Sequence, residues 1–183
     1  MIIFLGIGTN LGNREANLRE ACRSLDERVG ELLACSSIYR SAPMGFESDN
    51  EFANIVVACS TNYSPEEVLL ITQQIEREMG RTHKSVNGIY HDRIIDIDLL
   101  QAFSSSTTHH SSPIKHQSSI LSLPPPKMQD RDFVMIPLRE VETILQGSLS
   151  SRSNPVITPL PSRYHLNILA VFYIDFITID FRG

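Results

Sequence analysis

Two hydrophobic periodicities alternate along the first hundred residues and predict a mixed α/β domain. The chain opens on an apolar, β-type run from Ile2 to Ile7, which ends in the turn formers "GTNLGN". Asn13 can then cap a helix, because apolar residues recur at helical spacing from Leu18 to Val29, and Gly30 supplies a stop. The first hydrophobic pattern therefore predicts a strand followed by a helix.

The same reasoning extends the prediction to four strands and two helices. Leu32 to Tyr39 and Phe52 to Thr61 are typical of strands, and a loop, "SAPMGFESDN", separates them. Ser64 opens a capping box with proline at the first helical position, and that helix ends at Gly80. The apolar, β-branched stretch "RIIDIDLL" then predicts a fourth strand. The order βαββαβ indicates a ferredoxin-like α+β sandwich, in which an antiparallel sheet is flanked by helices.

The pattern weakens after this strand. Residues 101–119 are rich in Ser, Thr and His and lack apolar periodicity, which predicts a mobile loop. An extended segment interrupted by prolines then leads to a helix predicted over Pro137 to Leu145. We expect one domain over residues 1–146 and an atypical C-terminal tail over residues 147–183.

Composition and charge limit the class of partner. Hydrophobic residues make up 42% and charged residues 20% of the chain, as in globular proteins. A formal net charge of -5 argues against a nucleic-acid or anionic-membrane footprint over the whole surface. The three cysteines, Cys22, Cys35 and Cys59, have no metal-binding spacing and are expected to be core residues in a reducing compartment. We therefore expect a cytoplasmic, monomeric protein that binds neither nucleic acid nor membrane.

Two aspartates in the fourth strand are the first candidate for chemistry. Alternate side chains of a strand share a face, so Asp96 and Asp98 should project together about 7 Å apart, while Ile95 and Ile97 enter the core. Their repulsion of about 2 kcal/mol, at an effective dielectric near 20, would be reversed by a bridging magnesium ion. The alternative, a solvated face of an edge strand, stays open from these residues alone.

Basic residues on both sides of this strand favour a phosphate site. Arg81 and Lys84 follow the second helix, and Arg93 opens the acidic strand. Arginine binds phosphate oxygens in a planar, bidentate way and keeps its charge. Simple neutralisation of the aspartates by Arg93 is the alternative. Strict alternation would place Arg93 on the face opposite the aspartates, unless the strand begins or twists near it.

With these residues in place, the chain resembles the 6-hydroxymethyl-7,8-dihydropterin pyrophosphokinases over roughly Met1 to Val141. The resemblance is carried by "GIGTNLGNREANL", "SSIYRSAPMGF", "EFANIVV", "IEREMGR", "DRIIDIDLL" and "MQDRDFVMIPLREV", in this order. It implies the ferredoxin-like fold. It also implies transfer of pyrophosphate from ATP to a pterin alcohol in folate biosynthesis, with Mg²⁺, two ions in the family, as cofactor.

The resemblance also implies a role for each matching residue. Asp96 and Asp98 would hold magnesium, and Arg81 and Arg93 would be the catalytic, phosphate-binding arginines. ATP would contact these arginines together with Glu76, Lys84 and Leu99. The residues expected at the pterin are Ser41, Ala42, Met44, Phe52, Asn54 and Phe133.

The chain departs from the family pattern at two places. An aromatic ring, glycine and proline usually precede the catalytic arginine, whereas this chain has "YHDR", so that Asp92 stands where the proline would be. Pro125 replaces a histidine that contacts ATP in the family. These departures leave one alternative, a catalytically impaired relative that binds nucleotide or pterin. A nucleic-acid-binding or metal-carrying ferredoxin-like module would instead require basic aromatic strands or C-x-x-C, and the sequence has neither.

Overall fold

The computed structural model describes residues 1–81, 91–104 and 113–150, with side chains to residue 147. Its elements are strands β1 (Ile2–Thr9), β2 (Glu31–Cys35), β3 (Tyr39–Ser41), β4 (Phe52–Ser60), β5 (Asp96–Phe103), β6 (His116–Gln117) and β7 (Ser122–Leu123), and helices α1 (Arg14–Arg28), α2 (Pro65–Glu78) and α3 (Asp132–Ser150). A short 3₁₀ turn, Met128–Asp130, precedes α3.

The two predicted helix starts are confirmed by their caps. The Asn13 side chain accepts a hydrogen bond from the Ala16 amide at 3.1 Å, which satisfies one of the free N–H groups at the start of α1. Ser64 and Glu67 form the reciprocal capping box of α2. Both helices therefore begin where the sequence places them.

The main sheet is antiparallel and has the order β2-β4-β1-β5, with β3 also paired to β4. The strand order and the two helices after β1 and β4 confirm the ferredoxin-like prediction. The larger core cluster joins one face of the sheet to α1 and α2, through residues such as Ile3, Leu25 and Ile75. Cys22 and Cys59 are buried in this cluster and Cys35 packs against it, all as free thiols.

The opposite face of the sheet is only partly covered. Leu138 and Val141 of α3 pack there against Phe4, Val56 and Leu100 in a second buried cluster. Next to this cluster the central strand carries Gly6 and Gly8, so no side chain from β1 fills the space. The uncovered part of this face becomes a cleft.

A carboxylate fastens α3 to the edge of the sheet. Glu140 accepts hydrogen bonds from the Ser37 amide at 3.0 Å, the Ser37 hydroxyl at 2.8 Å and the Tyr39 hydroxyl at 2.9 Å. Burial and this carboxylate raise the pKa of Tyr39 to about 12, so the phenol stays protonated and donates. The contact holds the start of β3 against the helix.

Three predictions about boundaries were wrong in part. The strand expected over Leu32 to Tyr39 is two strands, because the chain leaves the β2 ladder at Ser36 and re-pairs with β4 at Tyr39. The helix expected from Pro137 begins at Asp132, and Pro137 lies inside it. It also continues to Ser150, past the predicted helix end at Leu145. Residues 151–183 of the predicted tail lie outside the described residues.

The serine-rich loop predicted over residues 101–119 is shorter than expected at both ends. Residues 101–103 complete β5, and the Ile114 amide donates to the Ala102 carbonyl at 2.7 Å. His116 and Gln117 then pair with β7 in a small hairpin. Residues 105–112 lie outside the described residues. None of the helices in the described ranges combines the length and apolar character that a bilayer crossing requires.

Candidate active site

The floor of the cleft is made by three neighbouring strands. In the ladder between β1 and β5, Gly8 lies opposite Asp96 and Gly6 opposite Asp98. On the other side of β1, Gly8 pairs with Asn54 of β4. Paired residues point to the same face of a sheet, so the two carboxylates and the amide lie on either side of a glycine floor. The predicted common face of Asp96 and Asp98 is confirmed.

A buried acid at the end of α2 positions the first arginine. Glu76 is 5% exposed, and its Oε1 accepts from the Ile97 amide at 2.7 Å and from the Arg81 guanidinium at 2.6 Å. The same arginine nitrogen also donates to Oδ1 of Asp96. Glu76 therefore ties α2, β5 and Arg81 together beneath the cleft.

The second arginine reaches the cleft because β5 starts later than the sequence suggested. The strand begins at Asp96, so Arg93 precedes it and the alternation that would have turned its side chain away does not apply. Its guanidinium donates to Oδ2 of Asp96 at 2.8 Å and lies over the Phe52 ring, 5.2 Å from the centroid. Each oxygen of Asp96 thus accepts from one of the two arginines.

The electrostatic environment of Asp98 favours its protonated form. Desolvation by the cleft walls, followed by the negative charges of Asp96 and Glu76, raises the pKa of Asp98 to about 7. The carboxylate is nevertheless exposed to solvent through the cleft mouth, which screens this effect. Burial also raises the pKa of Glu76, and the charge of Arg81 acts against that rise. For Arg81, burial opposes the charged form, but Asp96 and Glu76 raise its pKa above the ordinary value.

The other end of the cleft combines rings with fixed polar atoms. The Asn54 amide donates to Oγ of Ser41 at 3.0 Å and to the Tyr39 carbonyl at 3.3 Å, so its orientation is fixed. Phe52 meets Phe46 edge to face, with ring centroids 6.3 Å apart. Phe133 comes from the first turn of α3. This end has the flat apolar walls and the few oriented polar groups typical of small-molecule sites.

The cleft has a volume of about 350 Å³ and brings most of the predicted site residues together. They are Ser41, Ala42, Met44, Phe52, Asn54, Arg81, Arg93, Asp96, Asp98 and Phe133. Glu76 lies beneath the cleft rather than on its surface. Leu99 is 3% exposed in the core on the α1 and α2 side, so the structure does not bring its side chain to the cleft. Lys84 lies outside the described residues.

Sequence reasoning did not place three contributors, Arg131, Gly6 and Gly8, at the cleft. Arg131 lines it, and its charge counteracts the rise in the pKa of Asp98. The signal was available, because Arg131 is two residues before the predicted Phe133 in "MQDRDF". Gly8 was predicted among the turn formers, and this prediction was wrong, because β1 continues through Gly6 and Gly8 to Thr9. The position of these glycines opposite Asp98 and Asp96 depends on the pairing of strands far apart in sequence.

Comparison with known proteins agrees with this geometry. A sequence model of the 7,8-dihydro-6-hydroxymethylpterin-pyrophosphokinase (HPPK) family matches residues 4–143. The chain belongs to this family. All predicted site residues of the HPPK resemblance fall within the matched range, which also includes β1 from Phe4 onward, β2 to β5 and α3 as far as residue 143.

HPPK relatives include bacterial proteins of similar length. The chain is 49% identical over 140 residues to the 2-amino-4-hydroxy-6-hydroxymethyldihydropteridine pyrophosphokinase of Porphyromonas gingivalis, covering 76% of this chain and 90% of that protein. The protein of the same name from Bacillus subtilis is 35% identical over 141 residues, covering 76% of this chain and 77% of that one.

Solved structures support the HPPK fold. An HPPK-DHPS crystallised in complex with substrates superposes with a TM-score of 0.55 at 15% identity, covering 91% of this chain. This chain spans 44% of that longer chain. At this identity the likeness shows the fold alone.

Proposed function

We propose that this protein transfers pyrophosphate from ATP to the hydroxymethyl group of 6-hydroxymethyl-7,8-dihydropterin, giving AMP and the pterin diphosphate for folate biosynthesis. The observation that carries the proposal is the pairing of two environments in one cleft. Acids and arginines line one end, and rings with an oriented amide line the other. A polyphosphate and a flat heterocycle require these two environments side by side.

The ring end of the cleft suits a pterin. Phe52 and Phe133 offer flat apolar surfaces, and Asn54 supplies an amide whose orientation is set by Ser41 and Tyr39. An oriented amide can match the donor and acceptor edge of a pterin, while the rings stack on its faces. Met44, at 55% exposure, would cover the mouth of this end.

The charged end suits a magnesium nucleotide. Asp96 and Asp98 are hard oxygen ligands on one face, and magnesium commonly joins one or two carboxylates to phosphate oxygens. No group of three or more protein ligands for a metal occurs in the described part of the chain, which fits a metal held mainly by phosphates and water. When bound, magnesium would neutralise charge on the polyphosphate. Nε of Arg81 is buried without a hydrogen-bond partner among the described residues and remains available as a donor.

Binding would exchange the partners of Asp96. In this structure both of its oxygens accept from arginines. Phosphate oxygens compete well for guanidinium groups, so Arg81 and Arg93 can move from the carboxylate to the nucleotide. Asp96 would then be released to act with Asp98 as a metal ligand.

The reaction requires positioning more than covalent chemistry from the protein. The hydroxymethyl oxygen attacks the β-phosphorus and loses its proton, an oxygen–phosphorus bond forms, and the bond from the β-phosphorus to the oxygen bridging to the α-phosphorus breaks. AMP leaves with that electron pair. Arg81, Arg93 and Arg131 would stabilise the charge that shifts during this step. No covalent protein intermediate is needed.

One incubation tests the proposal. The protein with Mg²⁺, ATP and 6-hydroxymethyl-7,8-dihydropterin should release one AMP for each pterin consumed. No AMP should form when the pterin is omitted or when EDTA is added. ADP as the product would contradict pyrophosphoryl transfer. Unchanged ATP despite tight nucleotide or pterin binding would favour the catalytically impaired alternative.

The remaining expectations can be tested separately. We propose a monomer, which light scattering should report as a mass near the 20.6 kDa of the chain. The cytoplasmic location stays a prediction.

A further inference from the structure

Asp92 connects two loops that border the cleft. Its Oδ1 accepts from the Asn10 side-chain amide at 2.7 Å, and its Oδ2 accepts from the Asn50 side-chain amide at 2.7 Å. Asn10 follows β1, and Asn50 is at the end of the loop between β3 and β4. A hydrogen bond with Ser48, together with those from Asn50 and Asn10, lowers the pKa of Asp92. The group is therefore a charged carboxylate at neutral pH, and both oxygens accept.

Asn10 transmits this contact to Arg93. The Asn10 side-chain oxygen accepts from the Arg93 backbone amide at 2.8 Å, and the Asn10 backbone amide donates to the Arg93 carbonyl at 3.1 Å. Asn10 is 3% exposed, so these bonds are shielded from water. With its side-chain nitrogen held by Asp92, the asparagine has one orientation, and that orientation fixes the backbone from which Arg93 extends.

Asn50 connects Asp92 to the loop between β3 and β4. The loop that it ends contributes Ala42, Met44 and Gly45 to the cleft wall. A second bond closes the group, since the Asn10 side-chain amide also donates to the Asn50 backbone carbonyl at 3.2 Å. Asp92 is thus the point where the segment carrying a phosphate-side arginine and the loop expected to cover the pterin meet.

The chain departs from its family's pattern at this position. The pattern has proline before the arginine, which fixes φ and offers no acceptor. Aspartate leaves the backbone freer and supplies two acceptors, and the structure uses both. The position therefore has a hydrogen-bonded connection where the family pattern has a stiff residue.

We propose that Asp92 is a positioning residue that fastens the loop between β3 and β4 to the segment carrying Arg93. It thereby sets the spacing between the two ends of the cleft. This inference rests on the proposed function, because it assigns the arginine to ATP and the loop to the pterin.

Hydrogen exchange on the unliganded protein tests the connection without any turnover. In Asp92→Ala the Arg93 amide, which donates to Asn10, should exchange about tenfold faster, and the loop of residues 42–51 should exchange faster as well. Asp49→Ala is the matched control, since it removes an exposed carboxylate next to Asn50 that has no hydrogen bond or ion pair in the described structure. It should leave both regions unchanged. Unchanged exchange in Asp92→Ala would overturn the proposal.

Kinetics of the same variants test the consequence. Asp92→Ala should raise KM for the pterin and lower kcat, each about three- to tenfold, and Asn50→Ala should raise the pterin KM alone. The double variant should be little worse than Asp92→Ala, because both changes break one connection. Asp92→Asn keeps the side-chain volume and one acceptor and should lie between wild type and alanine, which preserves the test should the alanine variant unfold.

Three outcomes would contradict the inference while leaving the proposed function intact. They are strictly additive effects of Asp92→Ala and Asn50→Ala, normal kcat and KM in a folded Asp92→Ala, or wild-type kinetics in Asp92→Pro. An inactive wild-type protein would instead defeat the proposed function, and the exchange measurement would still decide whether the connection exists.

Discussion

Replacing Asp98 by asparagine should make the metal-free protein more stable and inactive at the same time. The substitution keeps the shape of the side chain and removes one of two like charges on a shared strand face. A residue that serves only the fold would lose stability with function. A gain in stability together with a loss of activity therefore distinguishes a ligand-binding carboxylate from a structural one.

The size of the stabilisation follows from the separation of the charges. Residues two apart on a strand are about 7 Å apart, and two unit charges at that distance repel by about 0.5 to 2 kcal/mol for effective dielectrics between 80 and 20. If the rise in the pKa of Asp98 to about 7 were converted in full into a free energy of unfolding, the stabilisation by Asp98→Asn would be larger than this range. Because Asp98 is exposed in the cleft, solvent screens the charge and the lower range applies.

The pH dependence has a defined sign. A carboxyl group whose pKa is raised by folding binds more protons in the folded state, so wild-type stability falls as pH rises from about 4 through about 7. Asparagine does not titrate. The stability difference between Asp98→Asn and wild type should therefore be near zero at pH 4 and reach about 1 kcal/mol above pH 7.

Urea unfolding in EDTA at pH 4, 6 and 8 measures this difference, and AMP formation with Mg²⁺ measures activity. Asp49 is an exposed carboxylate without a hydrogen bond in the described residues, so the control Asp49→Asn should change neither the stability nor the activity. The reasoning fails if Asp98→Asn is less stable than wild type at pH 8, if its advantage is the same at pH 4, or if it turns over normally.

Four further substitutions test other parts of the structure. Glu140→Ala removes the acceptor for Ser37 and Tyr39 and should lower the free energy of unfolding in urea by about 2 to 4 kcal/mol, whereas a loss below about 0.5 kcal/mol would contradict the contact. Gly30→Ala should lower the free energy of unfolding by about 3 kcal/mol in the same assay, since φ is +149° and the new Cβ would lie 2.1 Å from the Ser60 carbonyl oxygen. Its control, Gly80→Ala, has φ +98° but open space around the new Cβ, and should lower it by about 1 to 2 kcal/mol. Equal losses in the two variants would refute the clash at Gly30. Arg131→Ala should lower kcat/KM at least about tenfold with a change in stability below about 0.5 kcal/mol, and unchanged kcat/KM would exclude it from the site.

Local features of the sequence were enough to predict much of this fold. The caps at Asn13 and Ser64 act within one turn of chain, so their residue types identify the helix starts. The shared face of Asp96 and Asp98 follows from strand alternation, which requires no knowledge of the neighbouring strands. The family motifs then supplied most of the lining of the cleft.

Features that depend on distant contacts could not be predicted. The orientation of Arg93 depends on where β5 begins and on Asn10, more than eighty residues earlier, whose side-chain oxygen accepts from the Arg93 backbone amide. The break between β2 and β3 depends on Ser36, whose amide and hydroxyl both bond the Val56 backbone. The helix predicted over Pro137 to Leu145 begins at Asp132 instead, because Val134 and Met135 pack against the second buried cluster.

The glycine floor has a consequence for inhibition. A Cβ at Gly8 would lie 3.1 Å from the side-chain oxygen of Asn54, and one at Gly6 would lie 3.3 Å from Leu100. Any larger residue there would crowd the protein's own atoms before it displaced a bound compound. An inhibitor that contacts β1 directly would therefore contact two positions at which a resistance mutation would also destabilise the protein.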